Sequence, residues 1–147
     1  LREGDVAAMS DAISVAALQA ILDHSPFIRH LRNRVVAIDA ARQQIILEMP
    51  FAPELERGPG SGQYHGGAIA ALIDTAGDFA LGVVLGGPVP TINLRIDYLR
   101  PATGDRLTAT ATVRRAGRTI GVVDIDVADP AGRLVAIGRG CYSMTVG

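Results

Sequence analysis

At 147 residues, with 14 basic against 15 acidic side chains and a net charge of -1, the chain is sized for about one domain and has no bias toward nucleic acid or anionic membranes. Its lone cysteine, Cys141, has no internal disulfide partner, and no Cys/His cluster has zinc-ligand spacing, so neither a staple nor a metal centre is expected. LREGDVAAMSDAIS lacks a cationic start followed by an apolar core, and the apolar runs are broken by Asp, Thr or Gly before the ~18–20 residues of a bilayer span, so a cytoplasmic protein with no membrane partner is expected.

No repeat, low-complexity tract or long linker divides the chain, and one domain over 1–147 is expected. From Asp11 to Asp23, DAISVAALQAILD places Ile13, Ala16, Ala17, Ala20 and Ile21 at helical spacing, with Ser10 or Asp11 as cap and Pro26 to close the helix. RVVAIDAARQQIILEMP reads as a hairpin of strands 34–39 and 44–49 about a polar turn at 40–43. Residues 53–64, PELERGPGSGQY, hold two prolines and three glycines and read as a loop.

A helix is predicted over 66–85, then strands at 90–99, 105–115, 119–128 and 133–143, separated by ATGD, the AGR turn at 116–118 and DPAG. Leu107, Ala109, Ala111 and Val113 alternate with Thr108, Thr110, Thr112 and Arg114, the pattern of a sheet with one covered face. Consecutive strands joined by turns this short are expected to be antiparallel. The fold class is α+β: about six antiparallel strands wrapped around one long, buried helix, with an N-terminal helix beside them.

The stretch that leads into and through that long helix, QYHGGAIAALIDTAGDFALG at 63–82, carries Asp74 and Asp78 among apolar residues. Burying a carboxylate without partners costs several kcal/mol, so Asp74 needs a reason to be there. HGGAIAALIDTAGDFALG, then PTINLRIDYLRPATGD, then TVRRAGRTIGVVDIDV resemble, in order and spacing over roughly residues 45–143, the hotdog-fold acyl-CoA thioesterases of the phenylacetate-degradation and hydroxybenzoyl-CoA type. The histidine and the aspartate nine residues after it, followed by a YLRPA-like strand end, are the specific part of the match.

The resemblance implies a hotdog fold, an acyl-CoA substrate, no separate cofactor, and homodimers that pair into tetramers. It places the family's carbonyl-polarising N–H at Gly67, with Gly66 before it as a substrate-binding position, where an unpaired helix-start N–H and the helix dipole favour developing negative charge. It places the nucleophile or general base on Asp74, buried because it faces substrate, and a supporting hydroxyl on Thr91. His65 is read as orienting the loop and helix start. Gly67 and Asp74 are seven residues apart, about 10 Å along the axis, which favours a site shared between two subunits.

For the CoA half, the turn of Arg115, Gly117, Arg118 and Thr119 resembles the family's nucleotide-contacting segment, and guanidinium groups flanking a glycine suit phosphates. Arg114 and Arg139 are candidates to join it. Asn93 and Tyr98 are secondary candidates, on opposite faces of one strand. Where the family has an asparagine six residues before the HGG histidine this chain has Pro59, with Ser61 or Gln63 to supply a polar contact. Asp78 is read either as a second carboxylate acting on Asp74 or as the partner of Arg95 or Arg100, and His24 and His30 as structural or exposed. The acyl pocket is expected to hold an aryl ring or a medium chain, Phe79 among its walls. Two other functions fit the residues: a hydroxyacyl-thioester dehydratase using His65 with Asp74, and an acyl-CoA-binding module without turnover.

Overall fold

The computed structural model describes residues 13–145. Helix α1, Val15–His24, starts where Ser14 accepts the Ala17 N–H at 3.1 Å, later than the expected Asp11; Ser10 and Asp11, the candidate caps, lie outside the described residues. Pro26 does more than close α1. Ser25 ends that helix in an extended conformation and its hydroxyl accepts from the Ile28 N–H, while Pro26 takes the first position of a short helix α2, Pro26–Leu31. A missing N–H costs nothing there, and the fixed φ suits a helix. Leu18, Leu22 and Leu31 bury both helices in the core. Gln19 ties α1 to the next segment, donating to the Asn33 carbonyl at 3.0 Å and accepting the Val35 N–H at 2.7 Å.

Strands β1, Arg34–Asp39, and β2, Gln44–Pro50, form the expected hairpin, its turn held by the Arg42 N–H on Asp39 Oδ1 at 3.0 Å. The segment expected as loop contains a 3-10 turn, Pro53–Leu55, and is then folded around Glu56, whose carboxylate accepts the Gly60 and Gly62 N–H groups at 2.9 and 2.8 Å. Both glycines have positive φ, 73° and 63°, a region other residues enter at a cost.

Helix α3, Gly66–Leu85, precedes β3, Thr91–Tyr98, β4, Arg106–Ala116, β5, Ile120–Ala128, and β6, Leu134–Ser143. All pairings are antiparallel, but the strand order is β1-β2-β4-β5-β6-β3. β3 therefore does not pair with its sequence neighbour β4. The chain leaves α3 on the β6 side and lays β3 at that edge, then crosses to pair β4 with β2.

The sheet wraps α3, as a hotdog fold requires. The inward residues of β4, Leu107, Ala109, Ala111 and Val113, are buried under it, and the alanines leave room for the helix backbone. At β6 the approach is closer still: a Cβ on Gly138 would strike Ile73 of α3. α3 is 20 residues and, contrary to the expectation that every apolar run stops short, it is long and apolar enough to cross a bilayer by length and composition. Its apolarity is accounted for by burial in the protein's own core, with Leu72, Ile73, Ala76 and Leu81 fully covered.

Candidate active site

The start of α3 is fixed from three sides. Tyr64 is buried, edge-on to Phe51, with its hydroxyl donating to the Met49 carbonyl at 3.1 Å. His65 donates its N–H to the Leu55 carbonyl at 2.7 Å and caps the helix, its Nδ1 accepting the Gly67 N–H at 2.8 Å. That contact requires Nδ1 to be unprotonated. It also means that the N–H assigned to substrate is held by the cap in this structure. Tyr98 reaches across from β3, its hydroxyl donating to the Gly66 carbonyl at 2.8 Å, so it braces the first turn of the helix. A groove of about 540 Å³ opens here, with His65, Gly66, Ile69, Tyr98 and Arg100 on its walls.

Two turns further, Asp74 is half-buried and not enclosed as expected. It lies on the one stripe of α3 that the chain leaves uncovered, with Gly67, Ala70, Ala71 and Asp78. Thr91 donates its hydroxyl to Asp74 Oδ1 at 2.8 Å, and no arginine among the described residues is within ion-pair distance of the carboxylate.

Thr91 points at Asp74 because of a β-bulge. Thr91 pairs with Tyr142 and Asn93 with Cys141, so Ile92 is an extra residue in β3. Without it Thr91 would share a face with Asn93, Arg95 and Asp97; with it Thr91 joins Leu94, Ile96 and Tyr98 on the helix side. Re-aiming a side chain is what a bulge beside a site does. Asn93 sits on the outer face, opposite Tyr98.

Asp78, one turn after Asp74, does not pair with Arg95 or Arg100. Its Oδ1 accepts the Val89 N–H at 2.7 Å, and Arg95 instead pairs with Asp97. Val89 precedes β3, so this bond fastens the α3–β3 connection against the helix. Burial pushes the Asp78 carboxyl up to about 6, the Val89 N–H opposes this, and the charge of Asp74 adds to it.

The Arg115–Thr119 turn joins β4 to β5 and lies beside the far half of α3: a Cβ on Gly121, just beyond it, would strike Leu81. Leu81 is about 20 Å along the axis from Gly67, so the chain does not bring the turn to its own helix start. Gly117 is required because a Cβ there would press on the Ile120 carbonyl oxygen that its N–H binds. Arg114 and Arg139 are not part of the turn's patch: both hold Asp124 on the outer face of the sheet, at 2.8 and 2.6 Å, and together they keep its carboxyl below the usual range, Arg139 most.

Pro59 is exposed in the Glu56 loop. Gln63 accepts from Arg57 and Ser61 Oγ accepts the Gln63 N–H, so both are used within the loop. His24 borders an apolar groove that Asp78 also lines, and His30 a second groove beside His65. His65 and Asp74 are about 13 Å apart along the helix, so a single chain does not present the imidazole–carboxylate pair a dehydratase needs.

Tyr142 went unread in the sequence. It is fully buried, and its hydroxyl lies 3.5 Å from the Asp74 carbonyl. Burial, and after it the charges of Asp74 and Asp78, push the phenol far above its ordinary value, so it stays protonated. The available signals were Gly77 inside a helix and Gly140 inside a strand, each costly unless something approaches closely.

Residues 62–136 match the thioesterase superfamily. A Halobacterium salinarum protein, named provisionally as an esterase, is 42% identical over 144 residues, covering 90% of this chain and 93% of its own. The acyl-coenzyme A thioesterase PaaI of Escherichia coli is 42% identical over 77 residues, 52% of this chain and 54% of its own. Its solved structure superimposes with a TM-score of 0.79 at 26% identity over 97% of both chains. A solved thioesterase-superfamily protein gives a TM-score of 0.82 at 35% identity, covering 88% of this chain and 96% of its own. With the six-stranded antiparallel sheet around a long central helix, these matches establish that the chain belongs to the thioesterase superfamily and has its hotdog fold.

Proposed function

We propose that the protein hydrolyses aryl or medium-chain acyl-CoA thioesters to the free acid and CoA, in an active site shared between two subunits. The observation that carries this is Asp74: a carboxylate with no cation partner among the described residues, oriented by Thr91, on the uncovered stripe of an otherwise buried helix. Thr91 occupies Oδ1 and leaves Oδ2 for a water or for direct attack. By the general-base route Asp74 takes a proton from water as the water oxygen bonds to the thioester carbon, the C–S bond breaks, and that proton passes to the departing CoA sulfur. By direct attack the carboxylate forms a mixed anhydride and expels CoA as the thiolate; water then hydrolyses the anhydride to the free acid, restores Asp74 and supplies the thiol proton. The developing oxyanion is met by the helix-start N–H of Gly67, which the His65 ring shares or yields when substrate arrives.

Gly67 and Asp74 of one chain cannot both reach one carbonyl, so the donor is the partner's Gly67. A two-fold axis that sets Asp74 opposite the partner's Gly67 runs the helices antiparallel. It also brings the Arg115–Arg118 turn, at the far end of α3, toward the partner's helix start, where the CoA phosphates would lie. On the acyl side, an apolar groove of about 660 Å³ bounded by Ile21, Ile28, Phe79 and Pro88 begins at Asp78, which supports a ring or a medium chain.

The test is thiol release from aryl-acetyl, benzoyl and aliphatic acyl-CoAs by wild type and Asp74→Asn. The expected result is a loss of at least ~100-fold in the variant with thioester binding retained, the usual worth of a general base or more. Equal rates would remove Asp74 from the chemistry. Binding without release of any thiol by wild type would favour a non-catalytic acyl-CoA module.

A further inference from the structure

Beneath Asp74 lies a second hydroxyl that this chemistry does not use. Tyr142 of β6 stands directly opposite Thr91 of β3 in the ladder, so one rung sends two hydroxyls toward one residue of α3. Thr91 holds the Asp74 carboxylate at 2.8 Å from the side, and the Tyr142 hydroxyl faces the Asp74 main-chain carbonyl at 3.5 Å from below. A buried tyrosine hydroxyl needs an acceptor, and this carbonyl keeps a lone pair beyond its helical bond.

The phenol cannot turn aside. It lies between Gly77 of α3 and Gly140 of β6, and a Cβ on either glycine would collide with the hydroxyl and the end of the ring that carries it. Both glycines sit inside regular elements, where glycine weakens helix and strand alike. The geometry points to a socket built to admit this side chain up to the helix backbone.

We propose that Tyr142 is a positioning residue for Asp74: its hydroxyl fixes the height and rotation of the α3 turn from which the carboxylate projects, while Thr91 fixes the carboxylate itself. The inference rests on the reading of Asp74 given above. Its consequence is kinetic, because a small misplacement of a reacting group costs rate without costing substrate binding.

Tyr142→Phe leaves the ring in its socket and removes only the hydroxyl. The expected result is a kcat lower by roughly three- to tenfold with KM unchanged, and a Tm lower by no more than the few degrees that one hydrogen bond is worth. Amide hydrogen exchange across the turn from Asp74 to Asp78 should quicken at the same time. A residue that merely fills the core predicts otherwise: wild-type kcat, or a kcat that falls only in step with Tm and KM. Either result overturns the proposal. Asp74→Asn measured in the same series separates the two failures. If it keeps full rate, the reading of Asp74 fails and this inference with it; if it is inactive while Tyr142→Phe matches wild type, only the positioning role fails.

Discussion

Asp78 shows how far one residue's environment can be turned into a measurement. Its carboxyl sits at about 6 because burial disfavours the charge; the Val89 N–H pulls the other way, and Asp74 repels. The unfolded chain, near 3.8, has already released a proton that the folded protein still binds between those two values. The stabilising contribution is therefore complete below about pH 4 and is lost as pH rises through about 6. Asp78→Asn keeps an oxygen for the Val89 N–H and removes the ionisation. It should flatten the pH dependence of stability between about pH 4 and 7 and raise stability at pH 8 by on the order of 1 kcal/mol, a figure discounted because the group is only half-buried. Denaturant unfolding at three pH values checks this, and parallel curves for variant and wild type would contradict it. The sequence suggested both a carboxylate pair and an arginine partner for Asp78. The arginine partner is not found, because Arg95 projects from the outer face of β3 and pairs with Asp97 while the Asp78 carboxylate is taken by a main-chain N–H.

At the scale of elements, α3 is the clearest case of competing terms. Gly77 sits in its interior, where alanine would be favoured by about 1 kcal/mol on helix propensity. A Cβ there would collide with the buried Tyr142 phenol, backed by Gly140, and overpacking of that kind costs about 1–3 kcal/mol. Gly77→Ala should therefore lower Tm despite the better helix former, and a raised Tm would show that the socket relaxes freely. The limits of α3 were legible because HGG opens it, apolar residues run through it and the Gly86-Gly87-Pro88 stretch ends it. The strands were legible from their alternation and Pro/Gly turns. Strand order was not, since nothing local in PTINLRIDYLRP says that β3 pairs with β6 and not β4. The bulge at Ile92 was equally hidden. Alternation alone puts Thr91 on the outer face, away from Asp74, whereas its hydroxyl bonds the Asp74 carboxylate. α2 was missed because Pro26 was read only as a terminator, although proline also starts helices.

At the scale of the whole molecule, two open features lie on one side of the described chain. β3 is an edge strand, with Ile92 54% exposed, and the α3 stripe from Gly67 to Asp78 is uncovered on the same side. An open edge beside an uncovered helix face is where the proposed two-fold partner would sit. If the site is shared, its halves can be separated genetically. In a dimer of one Asp74→Ala chain and one Gly67→Val chain, one site carries both lesions and the other carries neither. Each homodimer should be inactive, and the purified heterodimer should recover about half of wild-type activity per dimer, because symmetry leaves one of two sites intact. Valine at position 67 also presses on the His65 cap, where even a Cβ would lie 3.0 Å from Nδ1, so both homodimers need wild-type-like unfolding transitions for the comparison to hold. A site built within one chain predicts that every heterodimer site has a lesion and that activity stays absent. Recovery near half, obtained with two differently tagged chains purified in sequence, would place Asp74 and Gly67 on opposite sides of the interface.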